Sequence, residues 1–292
     1  LASQQPIASE VIELLADDAP ANRKFGQAIA VSHDTIVVGA PEDAAHGSRS
    51  GAAYVFVRNA GGADEWSQVK KLTASDAAAD AQFGFAVAIS GDTIVVGAFG
   101  DSSYRGAAYV FERNEVSTDN WGEVRKLIPT GGAAGDFFGE FVDISGDTIV
   151  VGAPMAKGMD GAAYVFERNT GAPDAWGQVT ELVPGTPVSA DAQFGWSVAI
   201  SGGTAVVGAH YDGLSKSGSA YVFERNEGST DNWGEVRKIT GDDTTDNDDF
   251  GYAVDVAVDT LVVGARWDDD GGSASGSAYV FERNVGGADN WG

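Results

Sequence analysis

Cysteine is absent from this chain. That excludes a disulfide framework, a zinc–thiolate centre and a cysteine nucleophile, and it leaves the redox compartment open. Histidine is scarce: His33, His46 and His210 are the full set. They form no metal-binding pair at helical spacing. Neither a Gly-x-Ser-x-Gly elbow nor a phosphate-binding loop is present. Basic residues are few, 18 against 43 acidic, for a formal charge of −25. Nucleic acid is a poor partner for such a surface, because its phosphates need Lys and Arg to displace counterions. A solvated, soluble surface and cationic or basic partners suit it better. No apolar run approaches the roughly 18 residues of a membrane-spanning helix, so no membrane insertion is expected. Residues 1–8 lack the basic start and apolar stretch of a signal peptide and are expected to be what remains after processing.

What the chain has in abundance is internal repetition. Phe-Gly recurs at Phe25-Gly26, Phe83-Gly84, Phe138-Gly139, Phe194-Gly195 and Phe250-Gly251. Each copy is followed 14 residues later by Gly-Ala: Gly39-Ala40, Gly97-Ala98, Gly152-Ala153, Gly208-Ala209 and Gly264-Ala265. A period of 55 to 58 residues marks a repeat architecture. Residues 1–292 are therefore expected to form a single domain of five units, despite a length that would otherwise suggest two.

Within one unit, Phe83 to Ile89 is a run of small and β-branched residues, and Ser90-Gly91-Asp92-Thr93 is a tight-turn signal. Thr93 to Ala98 reads as a second strand, Gly106 to Asn114 as a third, and Trp121 to Leu127 as a fourth with polar alternation. No helical period competes. The first three strands are apolar on successive residues, whereas an antiparallel sheet with one wet face should alternate. The sheets must therefore be covered on both faces. Four-stranded sheets packed radially satisfy this, so the expected fold is all-β, a five-bladed β-propeller of four-stranded antiparallel blades. The small first strand suits the axis, and the charged fourth strand suits the rim, where charge protects an edge. Tyr54, Tyr109, Tyr164, Tyr221 and Tyr279 each precede a Trp by 12 residues, and these aromatics are expected to pack between blades.

The ends suggest how the ring closes. The chain finishes on Trp291-Gly292, where an outer strand should begin. Elsewhere Trp-Gly continues as Glu-Val-Arg-Lys-Leu (123–127) or Glu-Val-Arg-Lys-Ile (235–239). Glu10-Val11-Ile12-Glu13-Leu14 has no Trp before it, so it is expected to complete the fifth blade and close the ring. A longer array with more blades is the rival expectation. Residues 114–127 nearly repeat at 226–239, with two differences in 14, as recent duplication or a bare scaffold would produce.

Phe-Gly, a turn, and then Gly-Ala-Pro (Gly39-Ala40-Pro41, Gly152-Ala153-Pro154) resemble the FG-GAP repeat, in particular its short bacterial form. The resemblance covers residues 10–292. It implies a propeller like the head of integrin α subunits, in an extracellular or cell-surface bacterial protein. The third residue drifts to Phe99, His210 and Arg266, so Pro is not required. Integrin-type repeats often carry an Asp-rich calcium loop in the Phe-Gly hairpin. Here one carboxylate per turn, as in Ser90-Gly91-Asp92-Thr93, falls short of the six to eight oxygens calcium takes, so that metal site does not carry over.

The loops after each Gly-Ala and before each Phe-Gly should share one face. They are variable and acidic, and variable loops on a rigid scaffold are the usual home of binding residues. Tyr104, Tyr211, Asp212, Trp267, Asp268 and Asp270 are the expected ligand contacts. The competing reading is a solvated acidic rim. No cofactor is expected. Calcium is the one metal considered, with Asp246, Asp248, Asp268 and Asp270 as its candidate ligands. The expected role is a non-catalytic binding, adhesion or scaffold module, monomeric, with a protein or carbohydrate ligand. A propeller lectin is the alternative, although five equivalent sugar sites would require loops more alike than these. A hydrolase with a carboxylate pair is a further alternative, but nothing singles out a pair.

Overall fold

A computed structural model describes residues 12–18, 23–114, 120–226, 232–285, 287 and 290–292. Each Phe-Gly unit folds as one antiparallel sheet in chain order. The first holds β1 (Ile29–Ser32), β2 (Thr35–Ala40), β3 (Ala52–Arg58) and β4 (Trp66–Leu72). The second holds β5 (Ala86–Ser90), β6 (Thr93–Ala98), β7 (Ala107–Arg113) and β8 (Trp121–Leu127). The third holds β9 (Phe141–Ser145), β10 (Thr148–Ala153), β11 (Ala162–Glu167) and β12 (Gly177–Leu182). The fourth holds β13 (Ser197–Ser201), β14 (Thr204–Ala209), β15 (Ser219–Arg225) and β16 (Trp233–Ile239). The fifth sheet has three strands, β17 (Phe250–Ala257), β18 (Thr260–Ala265) and β19 (Ser277–Glu282).

The continuous apolar runs are explained by burial on both faces. Every residue of β6, β10 and β14 is buried. Alternate residues go to opposite neighbours: Ile94, Val96, Tyr109 and Phe111 pack with Val37 and Val55 of the first unit, while Val95 and Val110 pack with Ile149 and Val151 of the third. The inner strands meet in succession, β1 on β5, β5 on β9, β9 on β13 and β13 on β17.

The signature dipeptides make the junction between units. A Cβ on Gly97 would lie 1.9 Å from the carbonyl oxygen of Gly139, and one on Gly208 would lie 2.0 Å from that of Gly251. Only a residue without a side chain permits that approach. The phenylalanine is fixed alongside by a parallel bridge, Gly106 to Phe138 or Gly218 to Phe250. It is held edge-on by the Tyr and Phe of its own third strand, as Phe83 is by Tyr109 and Phe111 at 5.4 and 5.9 Å.

The fifth and first units do not repeat these contacts with each other. Gly264 approaches only Ala253 of its own sheet, and Gly26 has nothing within 4 Å of its Cβ position. Val262 and Val280 are 37% and 62% exposed, although their counterparts Val95 and Val110 are fully buried. Ile29 and Val31 are likewise exposed. The expected closing strand also departs from its assignment. Glu10 and Val11 lie outside the described residues, and Ile12, Glu13 and Leu14 form no strand. Leu14 and Ala16 pack on Val38, Ala40, Tyr54 and Phe56 of the first unit. Burial against the first unit's own apolar face holds this segment. At the other end, Trp291 does begin the outer position on β19, with an Arg283–Trp291 bridge and reciprocal backbone hydrogen bonds between Glu282 and Gly292.

Candidate functional site

The first residue after each Phe-Gly is the variable member of an otherwise repeated strand entry: Gln27, Phe85, Glu140, Trp196 and Tyr252. These five line one axial cavity of about 680 Å3 together with Phe141, Val142 and Val254. Sequence reasoning passed over them because the repeat drew attention to what is constant. The signal was available in their variability at a position that topology places around the axis. Glu140 is notable here. Burial alone pushes its carboxyl up to about 7, and its Oε2 is buried without a hydrogen-bond partner.

An aromatic band leads outward from this cavity. Phe141 lies 5.5 Å from Trp196, Trp196 lies 4.3 Å from His210, and His210 lies 3.9 Å from Tyr211. His210 is held neutral: burial, then the Arg266 and Lys216 charges, lower its pKa to about 3. Gln193 Oε1 contacts His210 Nε2 at 2.6 Å. Tyr252 lies 5.6 Å from Trp196. Arg266 stacks on both Tyr252 and Trp267, at 3.9 and 5.3 Å from the ring centres. The band ends in a second cavity of about 440 Å3 between the fourth and fifth units, bordered by Tyr211, Asp246, Asp248, Asp249, Trp267 and Asp269. Trp267 is half exposed.

The structure thus divides the six expected contacts. Tyr211 and Trp267 meet in that outer cavity, with Asp246 and Asp248. Tyr104 stands apart, stacked with Phe99 and Phe137 of units two and three. Asp212 and Asp268 are buried, each 1% exposed, with their carboxylates engaged by neighbouring side chains. Asp212 accepts from Tyr221 Oη at 2.5 Å, Lys238 Nζ at 2.7 Å and Ser189 N at 2.8 Å. Burial raises its pKa, but those donors outweigh burial and hold it well below the usual carboxylate range. Asp268 accepts from Tyr279 Oη at 2.6 Å, the bond that most lowers its pKa.

The four calcium candidates divide as well. Asp268 and Asp270 gather with Asp243, one oxygen of each within 4.8 Å of the others. Asp246 and Asp248 border the outer cavity instead, and Asp248 is occupied by Thr245. Three clustered carboxylates offer at most six oxygens, the lower end of calcium's shell of six to eight, which carbonyls or water would otherwise complete.

The comparisons agree with this architecture. The FG-GAP repeat model matches residues 8–56, 66–111, 121–166, 176–223 and 233–281. No curated protein sequence matches the chain. Among solved structures, hydrazine synthase of Kuenenia stuttgartiensis is similar, with a TM-score of 0.56, 13% identity, and coverage of 94% of this chain and 68% of that one. The computationally designed Ika4 protein also aligns, with a TM-score of 0.44, 17% identity, and coverage of 75% and 99%. At 13% identity the likeness to hydrazine synthase concerns fold alone. Five matches spanning most of the sequence place the chain in the FG-GAP repeat family.

Proposed function

We propose that this protein is a non-catalytic binding module, a propeller displayed outside the cell, that holds its ligand on the face formed by the Gly-Ala and pre-Phe-Gly loops. One observation carries the reading: the aromatic band from Trp196 to Trp267 joins the axial cavity to an acid-lined outer cavity. Apolar floors with a few converging charges are the usual composition of ligand sites. A half-exposed indole beside Asp246 and Asp269 suits a basic side chain of a protein partner, through combined charge and cation–π attraction. The overall charge of −25 would steer such a partner inward. A carbohydrate ligand is the second reading, favoured by the same exposed Trp267 ring, on which a sugar face can stack.

Titration of the protein with lysine- and arginine-rich peptides, and in parallel with a glycan array, tests the proposal. Saturable peptide binding that Trp267→Ala weakens by about tenfold or more supports it. Binding to glycans alone supports the second reading. Peptide binding that Trp267→Ala leaves untouched overturns the assignment of the site.

A further inference from the structure

A carboxylate stands among aromatic rings at the axis. The residue that follows Phe-Gly is Gln27, Phe85, Trp196 or Tyr252 in four units and Glu140 in the third, and all five border the axial cavity of about 680 Å3. Phe141 lies 5.5 Å from Trp196, and Trp196 lies 5.6 Å from Tyr252. These three rings form a continuous arc that starts at Glu140's neighbour in the chain. Glu140 Oε2 is buried and has no hydrogen-bond partner among the described residues. No lysine or arginine borders the cavity. Arg266, stacked on the Tyr252 ring at 3.9 Å, is already paired with Asp249 at 2.8 Å.

An ionised carboxylate left unpaired in such a place costs the fold stability, which an aromatic residue, as three other units have there, would not. The rest of the wall narrows what would compensate that charge. A metal ion needs roughly four to eight donor atoms, and one carboxylate supplies two. A sugar needs many polar partners. The Ser197 hydroxyl is engaged by the Gly251 carbonyl oxygen at 2.8 Å, which leaves Gln27, Glu140, Tyr252 and the Trp196 indole. An anion would be repelled by Glu140 and by the overall charge of −25. An organic cation meets the complement of itself: a carboxylate for its charge, aromatic rings for cation–π attraction, and Val142 and Val254 for an apolar body. The volume falls within the roughly 300 to 1,000 Å3 of small-molecule sites.

We propose that the axial cavity binds a small organic cation, an ammonium group on an apolar body, with Glu140 as its counter-ion and Phe141, Trp196 and Tyr252 flanking the charge. This site is separate from the outer cavity beside Trp267 and does not rest on it. Binding is coupled to pH. Burial holds Glu140 at about 7, and its ionised form is the one that attracts a cation, so affinity rises from pH 5 to pH 8. The other titratable groups on the strands around the axis are Asp143 on β9 and Tyr252 and Asp255 on β17, while β1, β5 and β13 carry none. His210, just beyond β14, is neutral over that range. Asp143 accepts from the backbone N–H groups of Ile200 and Ile144 at 2.7 and 2.8 Å, and burial raises it to about 6. Glu140→Gln, in which Asp143 still titrates, separates the two carboxylates.

The test is isothermal titration calorimetry of the full chain with benzyltrimethylammonium, whose charge is fixed, and with neutral benzyl alcohol. The expected result at pH 8 is saturable binding of the ammonium probe, about tenfold or more tighter than the alcohol. At pH 5 the same binding should weaken by about tenfold or more. Glu140→Gln should weaken it by about tenfold or more at pH 8 and flatten the pH dependence. That variant removes a buried charge while keeping the side chain's shape, and its melting temperature at pH 8 verifies that it is folded. Equal affinity for the ammonium probe and the alcohol overturns the proposal. So does the absence of saturable ammonium binding, or a Glu140→Gln variant that binds like the native protein.

Discussion

Trp176 donates its indole N–H to Glu112 of the preceding unit, 2.9 Å away. Arg168, stacked 4.8 Å from the Trp176 ring centre, pairs with the same carboxylate. The bond recurs from Trp233 to Glu167 and from Trp291 to Glu224, each at 3.3 Å. It is missing at one junction. Trp121 Nε1 is buried without a partner, because the first unit has Val57 where the others have glutamate.

Val57→Glu should therefore stabilise the protein. Satisfying a buried indole N–H with a carboxylate is worth about 1 to 2 kcal/mol. Thermal denaturation should show a rise of about 2 °C or more. A fall would mean that the substituted glutamate cannot reach Trp121.

The inter-unit glycines should tolerate no side chain. Gly97→Ala places Cβ 1.9 Å from the Gly139 carbonyl oxygen, a backbone clash that should cost about 3 kcal/mol or prevent folding. Gly146→Ala is the matched control: its φ is +57°, with nothing within 4 Å, so only the left-handed penalty of about 1 to 2 kcal/mol applies. Denaturant unfolding of both variants checks the ranking.

Asp212→Ala should be among the most damaging charge substitutions. It removes the acceptor of Tyr221, Lys238 and Ser189 at once and leaves the Tyr221 hydroxyl buried without its partner. A loss of about 3 kcal/mol is expected from chemical denaturation. Asp246→Ala, at an exposed loop position, should change stability by less than about 0.5 kcal/mol.

Glu140 gives a pH dependence of definite sign. Burial raises its folded pKa to about 7 from a usual 4.5, so the folded state holds the proton more tightly than the unfolded chain. Its contribution is then most favourable below about pH 4.5 and is lost as pH rises towards 7. Glu140→Gln should melt higher than the native protein at pH 8 and close to it at pH 4. A shift that does not vary between those two pH values would show that the carboxylate titrates normally.

How much was legible in the sequence follows from the kind of signal each feature leaves. Phe83, Phe138, Phe194 and Phe250, with the glycines that follow them, occupy equivalent junctions, so one steric demand is written four times over and stands out as a period. The axial residues Gln27, Phe85, Glu140, Trp196 and Tyr252 share a position but not a chemistry. Their common cavity appears only once the units are arranged about an axis. Asp212 and Asp268 looked like loop acids available to a ligand. The structure turns them inward to Tyr221 and Tyr279, and their tyrosine partners were legible only as packing aromatics.

By itself the sequence determined the unit, its strands and the sites of inter-unit contact, because strand period, turn chemistry and the need for glycine act over a few residues and repeat with the chain. Tertiary structure alone decided which carboxylates are buried and neutralised, where the aromatic band runs, and that the fifth and first units do not repeat the four junctions between consecutive units. Those properties depend on which residues from separate units come within a few ångströms of one another. That distance is set by packing and by charge compensation between units, which no single repeat contains.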